Sequence, residues 1–214
     1  MIKGTIFDID GVILDSMSLW WNLEKSYLNS RGIESNEDTL KSLENKTLTE
    51  AIIYIKHKYE LNLSVPEIQN EINGIVDDFY FNKVKLKPGA KELLEHLKSK
   101  NIKITAASLS ERNHIEKAFL RLDILKYFDR IFTVGEVGKG KNEPDIFCAA
   151  RDFMGTQTEE TAVFEDSVYA VATAKKAGFY CFGVKDDSGK ESQWELKVSC
   201  DKYLKSIGEA IELI

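Results

Sequence analysis

The chain has 214 residues, 43% hydrophobic and 30% charged, with a formal net charge of −6. That length buries a substantial core, as one large domain or as a domain with a subdomain. The acidic balance, with no basic block and no Lys/Arg stripe among aromatics, argues against a general nucleic-acid surface and against anionic membranes. A small anionic substrate needs only local positive charge and stays open.

The first predicted element is a short apolar strand, Gly4 to Phe7, which delivers Asp8, Ile9, Asp10 and Gly11. Strand side chains alternate between faces, so Asp8 and Asp10 are expected to project in one direction. Two neighbouring carboxylates repel unless a cation or a shared proton holds them, and the pair asks for a divalent metal. Gly11 permits the sharp turn that leaves both acids at a mouth. A turn with two solvated acids is the simpler alternative at this point.

Residues 16–84 change character, and no convincing strand appears among them. Ser16 is placed to cap a helix carrying Trp20, Leu23, Tyr27 and Leu28. Amphipathic helices are predicted over Thr49 to Tyr59 and Pro66 to Phe81. The segment reads as an all-helical insert between residues 1–15 and 85–214.

From Lys87 strands and helices alternate. Pro88 stands where a first-turn proline opens a helix over Gly89 to Lys100. Strands are predicted at Ile102–Ala107, Phe128–Val134, Thr161–Glu165 and Phe179–Val184. Helices are predicted at Glu111–Leu122, from Pro144 through Phe153, over Val168–Ala177, and from Ile207 onward. Five short strands with intervening helices imply an α/β fold, a Rossmann-like doubly wound parallel sheet covered on both faces. Ligands in such sheets sit at the carboxyl ends of strands.

Polar residues collect at those ends. The second strand runs into Ser108, Leu109 and Ser110, a hydroxyl followed by backbone N–H groups that could cradle an anion or simply cap a helix. Lys141 lies just ahead of Pro144, within reach of the strand ends, and Lys139 competes with it for the same role. The fourth strand ends in Glu165 and Asp166, either a helix cap or oxygen ligands for a hard cation. Taken together, hydroxyl and lysine suit phosphate oxygens, and the carboxylates suit Mg²⁺.

On D-I-D-G-V at 8–12, Ser108, K-N-E-P-D-I-F at 141–147, F-E-D-S at 164–167, A-x-x-A-G at 174–178 and L-K-P-G-A at 86–90, the chain resembles the haloacid dehalogenase superfamily with a small helical cap. Within it the chain looks most like sugar-phosphate phosphatases and beta-phosphoglucomutases. The resemblance implies strand order 5-4-1-2-3 and a cap at 16–84. It implies Asp8 as nucleophile forming an aspartyl-phosphate, and Asp10 as general acid and base. Ser108, the Leu109 N–H and Lys141 would hold phosphoryl oxygens. Mg²⁺ would be held by the Asp8 carboxylate, the Asp10 backbone carbonyl and Asp166, with Glu165 as a ligand or just behind them. Members that cleave carbon–halogen bonds lack an aspartate at the second acid, and Asp10 is present, so dehalogenation is the poorer expectation.

Departures from the family pattern fall at Asn142, where proline is usual, at Ala170, where D-S-x-x-G has glycine, and in the cap. Trp20 stands where beta-phosphoglucomutases carry histidine, and Asn45-Lys46-Thr47-Leu48 stands where they have a glycine and a phosphate-gripping arginine. Lys46 is a partial substitute, and Trp20 is either packing or an apolar wall of the substrate chamber. The expectation is a Mg²⁺-dependent phosphomonoester hydrolase acting on a small phosphorylated metabolite. A sugar phosphomutase is the alternative, and a phosphoacceptor receiver domain is a third reading.

Cys148, Cys181 and Cys200 form no C-x-x-C pair and read as reduced, structural thiols. His57, His96 and His114 lie far apart, which argues against zinc. With no signal peptide and no 18-residue apolar stretch, the expectation is a cytoplasmic monomer with no membrane partner.

Overall fold

A computed structural model describes residues 1–34, 48–187 and 193–214. It divides into two compact units, Met1–Met17 with Val84–Ile214, and Ser18–Lys83.

The first unit is built on a parallel sheet of β1 (Gly4–Phe7), β2 (Lys103–Ser108), β3 (Arg130–Thr133), β4 (Thr161–Glu165), β5 (Tyr180–Val184) and β6 (Lys202–Leu204). Its order is β3-β2-β1-β4-β5-β6, the expected 5-4-1-2-3 arrangement with one further edge strand beside β5. β1 and β4 are buried along their whole length, as strands covered on both faces must be. Register places Phe7 beside Phe164 and Phe164 beside Phe182. The three rings stack in turn, with centroids 4.4 and 4.6 Å apart, as an aromatic ladder on one face.

The opposite face carries Ile6, Val163 and Cys181, which pack with residues of two helices, α8 (Asp145–Met154) and α9 (Val168–Lys176). Small residues Ala150, Ala170 and Ala174 lie in that buried layer and let the helices approach the sheet. Burial pushes the Cys181 thiol up to about 12, keeping it an inert apolar filler, and all three cysteines are free. The remaining helices of this unit include α5 (Ala90–Ser99), α6 (Arg112–Arg121), α7 (Val134–Val137) and α10 (Gln193–Ser199). Pro88 lies outside α5, because Gly89 takes the N-cap in a left-handed conformation (φ 84°) against the Gly208 backbone. The tail expected as an α-helix is a 3₁₀ helix over Ile207–Glu212.

The second unit contains α1 (Met17–Trp21, starting one residue before the unit), α2 (Leu23–Ser30), α3 (Leu48–Lys58) and α4 (Val65–Asp78), followed by a π turn, Phe79–Lys83. Its interior is made by Leu23, Tyr27, Leu28, Ile52, Ile55, Ile68, Ile72, Val76 and Tyr80. A capping box starts α4: the Ser64 hydroxyl accepts from the Glu67 N–H while the Glu67 carboxylate accepts from the Ser64 N–H. The helix expected to run unbroken from Ser16 through Leu28 is interrupted at Asn22, whose side-chain amide donates to the Ser18 carbonyl at 2.8 Å. That local bond offers the backbone an alternative to continuing the helix. Among the described residues no helix is long and apolar enough to cross a membrane.

Candidate active site

Asp8 follows β1 directly, its N–H donating to the Phe164 carbonyl at 2.9 Å, so its backbone still belongs to the sheet. The chain then turns sharply through Gly11, which has φ 85°. A Cβ at Gly11 would collide with the Asp166 carboxylate, so the glycine serves both the turn and the approach of a second acid. Glu165 closes β4 and Asp166 follows it. Carboxylate oxygens of Asp8, Glu165 and Asp166 all lie within 4.8 Å of one another.

Lys141 reaches this trio from the loop between α7 and α8. Its ammonium donates to Asp8 Oδ1 and to Glu165 Oε1, the latter at 2.5 Å. Only 2% of its side chain is exposed. Lys139 stays largely in solvent and pairs with Asp145 at 3.0 Å.

The balance of charge is informative. Fully ionised, three carboxylates facing one ammonium would carry an excess of two negative charges in a desolvated place. Burial, opposed by the Lys141 charge and reinforced by Glu165 and Asp10, pushes Asp8 up to about 8. Burial and then the Asp8 and Glu165 charges raise Asp166 well above the usual carboxylate range. Burial alone would lower Lys141, but Asp8 and Glu165 more than offset it and keep the ammonium protonated. Oxygen donors with a surplus charge of this size fit a hard divalent cation such as Mg²⁺.

A stability effect follows. Between the unfolded value of 3.8 and about 8, the folded chain holds a proton on Asp8 that the unfolded chain releases. Without metal, stability should therefore fall as pH rises across that window. Added Mg²⁺ should raise Tm much more at about pH 8 than at about pH 5, where it competes with protons. Differential scanning fluorimetry at the two pH values reads this directly; a Mg²⁺ response of equal size at both would contradict it.

The Asp10 carboxylate is not part of that trio, though its charge acts on Asp8. Its Oδ1 accepts from the Ser16 hydroxyl and its Oδ2 from the Ser110 hydroxyl, both at 2.6 Å. Ser16 thus turns to Asp10, with none of its expected helix capping seen in its hydrogen bonds. Ser108 ends β2 fully buried, and its hydroxyl oxygen accepts from the Ser110 N–H at 3.0 Å. Leu109 between them is 59% exposed.

Sequence reasoning missed Ser16 and Ser110 as partners of Asp10. It also missed Asp186, 4% exposed just after β5 and paired with Lys87 at 2.7 Å. The negative charge of Asp186 adds to the rise at Asp166. Its place after a parallel strand was a usable signal, the same one that marks Asp8 and Asp166. In the helical unit, the Trp20 indole N–H donates to the Tyr80 hydroxyl at 3.0 Å. Lys46 lies outside the described residues.

The structure is that of an α/β protein with three acids that could hold a metal ion, Asp8, Glu165 and Asp166, gathered with Lys141 at the carboxyl ends of its strands. Residues 5–184 match the family model described as Haloacid dehalogenase-like hydrolase, and the chain belongs to that family. It is 28% identical over 177 residues to the Phosphorylated carbohydrates phosphatase of Thermotoga maritima, covering 83% of this chain and 82% of that protein. It is 31% identical over 194 residues to the Beta-phosphoglucomutase of Bacillus subtilis, covering 86% and 83%. Among solved structures, a Thermotoga maritima protein provisionally named a beta-phosphoglucomutase superposes with a TM-score of 0.86 at 25% identity, over 99% of this chain and 98% of that one.

Proposed function

We propose that the protein is a Mg²⁺-dependent phosphatase that hydrolyses a small phosphorylated metabolite through an aspartyl-phosphate on Asp8. The observation that carries this reading is the buried Asp8 carboxylate, held by Lys141 and backed by Glu165 and Asp166. A carboxylate fixed at the end of a rigid strand is a positioned nucleophile rather than a solvated acid. Asp8, Asp166 and the Asp10 carbonyl would hold Mg²⁺, with Glu165 shared with Lys141; when bound, the ion neutralises phosphoryl charge and nucleophile together.

In the first step an Asp8 oxygen attacks phosphorus and the bond to the leaving oxygen breaks, with Asp10 giving that oxygen a proton. In the second step a water oxygen attacks the phosphorus, its proton passes to Asp10, and the Asp8–phosphorus bond breaks. Lys141, Ser108 and the Leu109 N–H are the proposed holders of the phosphoryl oxygens, where fixed donors count most as charge spreads.

The phosphatase reading is preferred to a mutase because a mutase must grip two phosphates in turn. Trp20 offers an indole where the mutases have histidine, and Leu48 has no charge to offer. A screen of phosphorylated metabolites with Mg²⁺ tests the proposal. Release of free phosphate supports it, whereas an isomerised sugar phosphate without free phosphate would transfer the protein to the mutases.

Asp166→Ala removes a proposed ligand but not the nucleophile. It should raise the Mg²⁺ concentration for half-maximal activity by about 100-fold with turnover recovered at saturation. A folded variant that no Mg²⁺ concentration restores would assign Asp166 a different role.

A further inference from the structure

Asp10 is expected to carry a proton in one half of the cycle and to lack it in the other. Each of its oxygens meets a serine hydroxyl in the same unit, Oδ1 that of Ser16 and Oδ2 that of Ser110. Ser16 is fully buried and Ser110 is 9% exposed, so water competes weakly for either bond. A hydroxyl suits this duty because it is a rotatable donor that follows either form of the carboxyl group. It donates to the carboxylate and can go on donating to the acid through a remaining lone pair, which leaves the acid's own O–H free to point at a leaving oxygen.

Ser110 does a second thing. Its N–H donates to the Ser108 hydroxyl oxygen at 3.0 Å while its own hydroxyl donates to Asp10 Oδ2. One residue therefore ties the proposed phosphoryl-binding serine at the end of β2 to the proposed proton donor after β1. Asp10 and Ser110 are 100 residues apart in the chain, so this tie exists only in the folded sheet.

We propose that Ser110, with Ser16 on the opposite oxygen, is a positioning residue that aims Asp10 for proton transfer to the leaving oxygen. The proposal rests on the phosphatase reading of the site. During transfer the Asp10 O–H bond breaks, the proton goes to the leaving oxygen as its bond to phosphorus breaks, and the Ser110 hydroxyl keeps donating to the carboxylate formed. Ser110 touches no reacting atom in this scheme. Its effect is confined to leaving groups that need a proton.

That confinement gives the test. Ser110→Ala keeps the backbone N–H to Ser108 and loses the bond to Asp10. The experiment compares kcat/KM for an alkyl phosphate such as glycerol 3-phosphate with kcat/KM for p-nitrophenyl phosphate, whose leaving group departs as a stable anion. kcat/KM is used because it reports the first phosphoryl transfer and not the later hydrolysis. The expected result is a loss of about 30- to 100-fold on the alkyl phosphate and of less than about threefold on the nitrophenyl ester. Ser110→Thr, which restores a hydroxyl, should recover most of the alkyl phosphate rate.

The ratio of the two substrates on one preparation does not depend on the fraction of protein that is folded. An equal loss on both substrates, or no rescue by Ser110→Thr in a folded sample, would overturn the positioning role and leave the phosphatase reading intact. Failure of the unaltered protein to hydrolyse either substrate with Mg²⁺ would overturn that reading, and the proposal with it.

Discussion

Asp8→Asn is expected to remove turnover by a factor of about 1,000 or more while leaving the fold intact. The amide is nearly the shape of the carboxylate but is a poor nucleophile toward phosphorus. Its effect on stability should run the other way. Burial opposes the Asp8 charge, and Glu165 and Asp10 oppose it further, so a neutral side chain relieves the metal-free site. The metal-free variant should therefore melt no lower than the unaltered protein at about pH 8. Turnover above a few per cent, in a freshly prepared sample free of deamidation, would remove Asp8 from the chemistry.

Lys141→Met is the second large expectation, and here stability and activity fall together. The thioether fills similar space but withdraws the ammonium from Asp8 and Glu165, both nearly inaccessible to solvent. Breaking a buried ion pair by removing one partner costs about 3–5 kcal/mol. For a chain of this size that corresponds to a fall in Tm of about 10 °C. Saturating Mg²⁺ should recover part of it, because the cation replaces some of the missing positive charge. Turnover should fall by about 100-fold or more even with Mg²⁺ present, since the phosphoryl oxygens lose a fixed donor. Lys139→Met, which disturbs only a solvent-exposed pair with Asp145, should leave Tm nearly unchanged. A Lys141→Met protein with normal Tm and turnover would contradict the site.

The parts of this protein that were legible in the sequence are those that local chemistry decides. Buried apolar runs such as Ala162–Phe164 announce strands, and the acids, hydroxyl and lysine that follow such runs mark the carboxyl edge of the sheet. β6 was not legible because three residues with an exposed lysine at their head carry no period. The break between α1 and α2 was missed because the apolar spacing runs straight across Asn22, where the side chain bonds to the Ser18 carbonyl. The hydrogen-bond partners of Asp10 were missed for a different reason. Strand alternation stops where the strand stops, and Gly11 turns the chain within four residues of Phe7. The partners of Asp10 then come from Ser16, six residues on, and from Ser110, a distance in sequence that no local pattern reports.

Asp186 shows the limit from the other side. It obeys the rule that chemistry collects after parallel strands, and Asp187 stands next to it, yet Lys185 comes between β5 and this acid pair and no apolar strand residue leads directly into it. Its buried pairing with Lys87 joins the end of β5 to the segment just before α5, a contact made by the fold. The resemblance supplied strand order and roles that spacing alone left open.

Phosphorus is expected to become bonded to Asp8 during the reaction. Acid quenching of the protein during turnover of a phosphorylated substrate with Mg²⁺, followed by borohydride reduction and peptide mass spectrometry, tests it most directly. An acyl phosphate at Asp8 is reduced to homoserine, so homoserine is expected at position 8 only in samples that received substrate. Homoserine at another acidic position, or full turnover with position 8 remaining aspartate at every quench time, would contradict it.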